Sequence, residues 1–239
     1  SFFLKLLSYI PFGVLYVLSD CLFYPLYYIV RYRRKVVRRN LTESFPEKSE
    51  QEIKRIEKGF YRFFTDQVLE SCKMMTISPE EITRRMKFAN VEAANAVFRK
   101  GKSIALYMGH YGNWEWVPSI PLCLEKNVMA VQIYHKLSNE NMDRLMLNNR
   151  ERLGAISVEM RKTARFITAM VQNGKVGIVG FIADHSPRKK DARHFLSFLN
   201  HDAPVLTGTE KIIKHYNFEA WFLNVKRIKR GFYEAELVR

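Results

Sequence analysis

The chain has 239 residues, enough to bury a substantial core within a single domain. Its hydrophobic fraction of 47% and charged fraction of 26% exclude wholesale disorder and a polytopic membrane protein. Lys and Arg outnumber Asp and Glu by 39 to 24, and the net charge of +15 favours an anionic partner: a phospholipid surface, a phosphorylated substrate, an acidic protein or nucleic acid.

The first predicted element is an apolar segment in which Asp20 is the only formally charged residue between Leu6 and Val30. About 20 apolar residues can span a bilayer as a helix. Asp20, Pro11 and Pro25 weaken a straight span, and two shorter helices lying in the membrane interface are the alternative. A buried helix of a soluble core is a third interpretation. No basic region precedes the segment and no small-residue cleavage site follows it, so a cleaved signal peptide is not expected.

Six basic residues follow within residues 31–39. Such a flank is attracted to anionic lipids at about 1 kcal/mol per residue, and the positive-inside bias places it in the cytoplasm. We therefore predict a membrane anchor with a basic flank over residues 1–40, bound to an anionic membrane surface, and a second domain over residues 41–239. Because the chain begins with Ser1 and ends within a strand pattern, we expect further residues at both ends.

The rest of the chain alternates between helical and strand patterns. Apolar spacing predicts a helix within 42–75, which Thr42 could cap, and Ser78-Pro79 has the form of a second helix start. Apolar runs predict strands at 103–108, 128–134, 155–158, 176–182, 219–226 and 232–238, with helices at 113–125, 139–153, 161–173 and 205–216. This alternation predicts an α/β fold with a mostly parallel central sheet flanked by helices. The last two strands are expected to form an antiparallel hairpin at one edge.

A candidate catalytic pair follows the strand at 103–108. Reactive groups in open α/β sheets gather beyond the carboxyl ends of strands, where His110 lies, with Glu115 five positions later. Five steps of about 100° along one helix would separate the two side chains. They can meet only if His110 lies in the strand-to-helix turn, where Gly109 and Gly112 provide backbone freedom. A histidine oriented by a carboxylate is a general base. The same spacing also arises by chance around structural histidines.

Several segments together resemble a known family. Gly109-His110-Tyr111-Gly112-Asn113-Trp114-Glu115 is similar to the catalytic motif of the late acyltransferases of lipid A biosynthesis, within the lysophospholipid acyltransferase superfamily. Segments similar to further blocks of that family occur in the same order, from residue 1 to about 226. They are the apolar amino-terminal anchor, Arg39-Asn40-Leu41, Phe45-Pro46-Glu47, Ala183-Asp184-His185-Ser186-Pro187 with the Phe-rich run that follows it, and Ala203-Pro204 with Thr207-Gly208-Thr209.

This resemblance implies transfer of a fatty acyl chain from a thioester, usually on acyl carrier protein with coenzyme A as the alternative, to a hydroxyl of a lipid A precursor. The reaction would occur at the cytoplasmic face of the bacterial inner membrane. His110 would deprotonate the hydroxyl, Glu115 would orient His110, and neither a metal nor an organic cofactor would be needed. The predicted substrate-binding residues are Asn113, Lys136, Arg161 and Asp184. For Asn113 and Asp184 a role in supporting a turn is the alternative, and for Arg161 a solvated helix face.

Two other functions stay open. Tyr134-His135-Lys136 stands where the family often has Tyr-Arg-Pro, so the acceptor could be another lysolipid, such as a lysophospholipid or an aminolipid. A non-enzymatic basic module that binds membranes is the second. Nucleic acid is not an expected partner, because the aromatic residues concentrate in apolar runs and do not alternate with basic ones. The basic run of Arg188, Lys189, Lys190 and Arg193 is a candidate for docking a carrier protein or lipid headgroups.

Overall fold

The computed structural model describes residues 2–187 and 192–239, so the predicted docking residues Arg188, Lys189 and Lys190 lie outside the described residues. The strands are β1 (Met86–Ala89), β2 (Ile104–Met108), β3 (Met129–Tyr134), β4 (Ile156–Glu159), β5 (Gly177–Ile182), β6 (Phe195–Phe198), β7 (His201–Pro204), β8 (Glu219–Lys229) and β9 (Phe232–Val238). The α-helices are α1 (Phe2–Tyr9), α2 (Phe12–Tyr24), α3 (Arg34–Ser44), α4 (Glu50–Lys73), α5 (Pro79–Arg85), α6 (Val91–Arg99), α7 (Glu140–Glu151), α8 (Thr163–Gln172) and α9 (Gly208–Tyr216).

Seven strands form one sheet in the order β1-β9-β8-β2-β5-β3-β4. All neighbouring pairs are parallel except the hairpin β8–β9, which is antiparallel. Helices cover both faces, so β2 is buried on both sides, as its continuous apolar sequence requires. The predicted α/β class is confirmed. The expected position of the last hairpin at an edge is wrong, because β1 pairs with β9 and forms the edge.

Three local differences have physical causes. The helix predicted within 42–75 begins at Glu50, where Ser49 and Glu52 form a capping box, and Thr42 lies inside α3. Ser78 caps α5 as predicted. The segment Trp114–Leu122 is a 3-10 helix, since Pro118 and Pro121 cannot donate the hydrogen bonds of an α-helix. The hairpin β6–β7, outside the main sheet, was not predicted.

The amino-terminal segment lies along α4. Lys73 donates to the carbonyls of Ser8 and Ile10, and Ser19 donates to Asp66. After α2 the chain continues as a π-helix over Pro25–Val30. Together, Phe12–Val30 is long and apolar enough to cross a membrane by length and composition.

The charged residue of this segment, Asp20, is paired with the body of the protein. Asp20 accepts hydrogen bonds from Arg230, at the β8–β9 turn, and Arg230 also contacts Asp66. The segment therefore presents one face to α4 and leaves an apolar face exposed. The predicted boundary at residue 40 falls within α3, and it stays a prediction.

Candidate active site

His110 and Asp184 meet at the carboxyl ends of adjacent strands. β2 and β5 are parallel neighbours with Met108 opposite Ile182, so the residues that follow them emerge side by side. Asp184 Oδ1 lies 2.7 Å from His110 Nδ1, and the backbone N–H of His110 donates to Asp184 Oδ2 at 2.7 Å. Gly109 permits this approach, since a Cβ there would lie 3.1 Å from Asp184 Oδ2.

The Asp184 carboxylate determines which ring nitrogen of His110 carries the proton. Burial alone would raise the pKa of this carboxyl, but the hydrogen bonds from the backbone and ring of His110 outweigh it and hold the pKa below its usual value of 3.8. The carboxylate is therefore ionised at neutral pH and accepts a hydrogen bond from the protonated Nδ1, which leaves Nε2 as the basic nitrogen.

Glu115 occupies a different position from the one predicted. Its carboxylate accepts two hydrogen bonds from Arg150 on α7, at 2.8 Å from Nη2 and 3.1 Å from Nε. Among the described residues, the carboxylate hydrogen-bonded to the His110 ring is that of Asp184. Both Glu115 and Arg150 are largely shielded from solvent and line the same cavity as His110. The expected contact between Glu115 and His110 is thus replaced by an ion pair beside the histidine.

A buried polar network holds the loop between β2 and the 3-10 helix. Asn113 is fully buried and donates to Glu70 Oε2 at 2.7 Å. Tyr233 donates to the same oxygen at 2.8 Å, and Tyr16 of α2 donates to Oε1 at 2.9 Å. Burial raises the pKa of Glu70. Asn113 does not line the cavity, so its position favours support of the loop over the predicted substrate contact.

Gly112 gives this loop its shape. Its φ of +61° lies in the left-handed region, and a Cβ there would approach Val225 Cγ1 to 2.5 Å. Any side chain at this position would displace the loop from the sheet. The glycine between His110 and Asn113 is therefore required by packing as well as by backbone geometry.

An apolar cavity of about 430 Å³ opens beside His110. It lies between the sheet and the 3-10 helix with α7, on the face to which Leu106, Ala130 and Ile178 point. Ile182 lines the cavity near the catalytic loop and Ile178 lines it four residues deeper, which corresponds to about 13 Å along the strand. A space of this shape accommodates an extended hydrocarbon chain.

The two predicted basic substrate contacts lie at the rim. Lys136 is exposed and stands between the cavity-lining residues His135 and Leu137. Arg161 is exposed and follows Met160, which also lines the cavity. Both predicted contacts are therefore exposed residues next to the cavity lining.

His110, Asp184 and His185 could in principle hold a metal ion, because one ligand atom from each lies within 4.8 Å of the others. The His110 and His185 rings stack with centroids 4.1 Å apart. A metal ion bound to both Nδ1 of His110 and Oδ1 of Asp184, at about 2.0–2.2 Å from each, would in most geometries hold these two atoms farther apart than a direct hydrogen bond does. The 2.7 Å separation of Nδ1 and Oδ1 is that of a direct hydrogen bond.

The model of one family, bacterial lipid A biosynthesis acyltransferase, matches residues 1–236. The chain belongs to this family. The matched region includes both strand-end segments that carry His110 and Asp184. Comparison with individual curated proteins gives no match. Membership identifies this protein as an acyltransferase of a membrane-associated bacterial family, with a lipid as acceptor.

In this acyltransferase, some site residues could not be recognised from sequence patterns. Glu70 and Arg150 lie on helices far along the chain from His110, and charged residues on helices ordinarily face solvent. A signal for Glu70 exists: Asp66 and Glu70 are spaced four apart on the face of α4 that also buries Leu69. Carboxylates on the apolar face of a helix are expected to be buried, and a buried carboxylate needs hydrogen-bonding or charged partners.

Proposed function

We propose that this acyltransferase transfers a fatty acyl chain from a thioester on acyl carrier protein to a hydroxyl of a lipid A precursor. His110 acts as the general base, and Asp184 orients it. The observation that carries the proposal is the 2.7 Å hydrogen bond between Asp184 and His110 Nδ1 at the opening of an apolar cavity. Acylation of a different lysolipid uses the same chemistry, and Lys136 at the rim suits the phosphate of either acceptor as a point charge.

The reaction depends on the proton at His110 Nδ1, because Nε2 is then the nitrogen that can accept another. His110 Nε2 accepts the proton of the acceptor hydroxyl while that oxygen attacks the thioester carbonyl carbon. Asp184 stabilises the resulting imidazolium, because its carboxylate remains ionised. The tetrahedral intermediate collapses with cleavage of the carbon–sulfur bond, and the imidazolium returns its proton to the departing thiolate. The products are the ester and the free thiol.

Glu115 has a different role from that of the orienting carboxylate first predicted. Its two hydrogen bonds fix the guanidinium of Arg150 in the cavity wall. We propose that Arg150 stabilises negative charge that develops on the thioester oxygen. The backbone N–H of His110 is not free for that purpose, since it donates to Asp184.

The acyl chain occupies the apolar cavity and the acceptor headgroup stays outside. Leu106, Ala130 and Ile178 provide hydrocarbon contacts, while Lys136 and Arg161 lie at the rim. Burial of each methylene contributes about 0.8 kcal/mol. Chain recognition and headgroup recognition are therefore separated along the cavity.

Attachment to the cytoplasmic face of the inner membrane is interfacial in this proposal. α2 and the π-helix that continues it pack along α4, whose exposed Arg62 lies over the Phe23 ring and whose half-buried Lys58 lies over the Tyr28 ring. A bilayer span by α2 would take these charges into hydrocarbon, at a cost of several kcal/mol each. The exposed apolar face of Phe12–Val30 instead lies at the level of the headgroups, beside the basic helix α3.

The test compares three variants in an assay with acyl carrier protein thioester and lipid A precursor. His110→Ala and Asp184→Asn should each lower kcat by at least about 100-fold. Membrane binding should be unchanged in both. Glu115→Gln keeps the size of the side chain and weakens its hold on Arg150, so kcat should also fall, but the pH dependence should keep its shape.

The three results separate the roles of the two carboxylates. If Asp184→Asn retains near-normal activity while Glu115→Gln alters the acid limb of the pH profile, Glu115 is the orienting residue and the assignment made here is wrong. Near-normal transfer by His110→Ala would refute the catalytic assignment altogether.

A further inference from the structure

The hairpin β6–β7 exposes a concentrated group of large apolar side chains. Phe195 is 57% exposed, Leu196 61%, Phe198 65% and Leu199 44%. Successive side chains of a strand point to opposite faces. Leu196 and Phe198 therefore lie on one face, with Ala203 and His201, while Phe195 lies on the other, with Ser197 and Asp202. The face that carries Leu196 and Phe198 is the more apolar of the two, and both side chains are more than half exposed.

The turn of the hairpin carries an unfavourable residue at its tip. Phe198 pairs with His201 across a two-residue loop, in which Leu199 has φ +50° and Asn200 has φ +64°. Such turns favour Asn and Gly, because a side chain in the left-handed region is strained. Burial does not compensate for Leu199 in water, since it is exposed. An apolar residue at a strained, exposed tip indicates an apolar surrounding.

The tip also lies against the basic helix. Asn200 Nδ2 donates to the carbonyl of Ser44, the last residue of α3, and His201 Nε2 lies 3.8 Å from Glu43 Oε2. The exposed residues of α3 include Lys35 and Arg39. Apolar side chains next to basic ones match the hydrocarbon and the anionic headgroups of a bilayer, respectively. An acidic carrier protein would be complementary to α3 but not to the apolar hairpin.

We propose that the β6–β7 hairpin inserts into the hydrocarbon of an anionic bilayer as a second membrane contact, separate from the amino-terminal helices. This inference rests on the membrane attachment in the proposed function. Phe195 follows Asp184 by only eleven positions in the chain. Insertion of the hairpin would hold the rim of the cavity at the lipid surface, where the acceptor hydroxyl is located.

The first test measures insertion directly. The full-length variant Phe198→Trp is reconstituted into vesicles of phosphatidylethanolamine and phosphatidylglycerol with brominated acyl chains, which quench tryptophan in hydrocarbon. Phe222→Trp is the matched control, because Phe222 is also an exposed phenylalanine on a strand, in the main sheet. After subtraction of the three native tryptophans, quenching at position 198 should exceed that at 222 by at least about twofold. Equal or weaker quenching at 198 overturns the proposal.

The second test links insertion to the reaction. The double variant Leu196→Ser, Phe198→Ser should transfer acyl groups to an acceptor in vesicles about tenfold more slowly, as expected for loss of two apolar contacts. Transfer to the same acceptor in detergent should be unchanged, and so should Tm. An equal loss in both settings, with weakened binding of acyl carrier protein, would identify the hairpin as a carrier-protein site and overturn the proposal.

Tryptophan quenching and acyl transfer test the hairpin and the proposed reaction separately. Quenching requires no acyl transfer. Quenching in Phe198→Trp, together with a lack of transfer by the parent chain, would refute the proposed reaction and leave the hairpin as a membrane contact. A chain that transfers acyl groups without quenching would refute the hairpin alone.

Discussion

Gly180 on β5 offers a direct way to change the acyl chain that the enzyme accepts. Its missing side chain leaves the wall of the cavity open between Ile178 and Ile182. A Cβ at this position would lie 3.6 Å from the carbonyl oxygen of Val131 and 3.8 Å from Met108 Sδ, which are ordinary contacts. Gly180→Val should therefore fold normally and fill part of the cavity.

The magnitude follows from the hydrocarbon that valine displaces. Its three carbons take the place of about three methylenes, each worth about 0.8 kcal/mol, so the loss is about 2.4 kcal/mol, or roughly 60-fold in kcat/KM. This loss applies to chains that reach past Gly180. A chain that ends nearer to His110 should lose less than about threefold.

The assay is a competition among saturated acyl thioesters of increasing length, analysed by mass spectrometry of the product lipid. Gly59→Val is the matched control, because a Cβ at Gly59 meets nothing within 4 Å and α4 does not line the cavity. A uniform loss across all lengths, or an unchanged preference in Gly180→Val, would refute the placement of the chain in this cavity.

Three further predictions concern the buried network and the strand-end cluster. Tyr16→Phe removes one hydrogen bond to Glu70 and should lower the free energy of unfolding by about 1–2 kcal/mol in urea, whereas Phe at the exposed Tyr9 should have no effect. Because burial raises the pKa of Glu70 above 4.5, the folded state binds this proton more tightly than the unfolded state. The stabilisation from that proton is complete below about pH 4.5 and is lost as pH rises through the raised pKa. Glu70→Gln should remove this dependence of the free energy of unfolding on pH, measured by denaturation. An unchanged dependence would assign it to another group. Treatment with EDTA should leave acyl transfer unaltered, and activity that disappears and returns with a divalent cation would mean that His110, Asp184 and His185 hold a metal.

The fold was predictable because the strands of a parallel sheet have a distinctive sequence pattern. Its strands are buried on both faces and read as continuous apolar runs between helices. β1 is an edge strand in which the exposed Lys87 interrupts the apolar residues, so it shows no such run. The hairpin β6–β7 packs outside the main sheet, so its apolar residues carry no buried-strand pattern that separates them from a loop.

The position of His110 at the strand end was predictable, but its contact with Asp184 was not. His110 follows a strand and lies between two glycines, which locates it at the reactive edge of the sheet. Asp184 is 74 positions away and becomes a neighbour only because β2 and β5 pair. Sequence spacing favoured Glu115, while the order of the strands, which spacing does not reveal, determines which carboxylate reaches the ring.

The contacts of Glu70 join the amino-terminal helices to the loop that carries His110. One carboxyl group receives a hydrogen bond from Tyr16, in the apolar helix α2, and another from Asn113, three residues after His110. Removal of residues 1–30 would take away part of the packing that shapes the catalytic loop, so a truncated soluble form should be a poor catalyst as well as a detached one. Folding of the amino-terminal helices against α4 and formation of the site are therefore coupled through a single buried side chain.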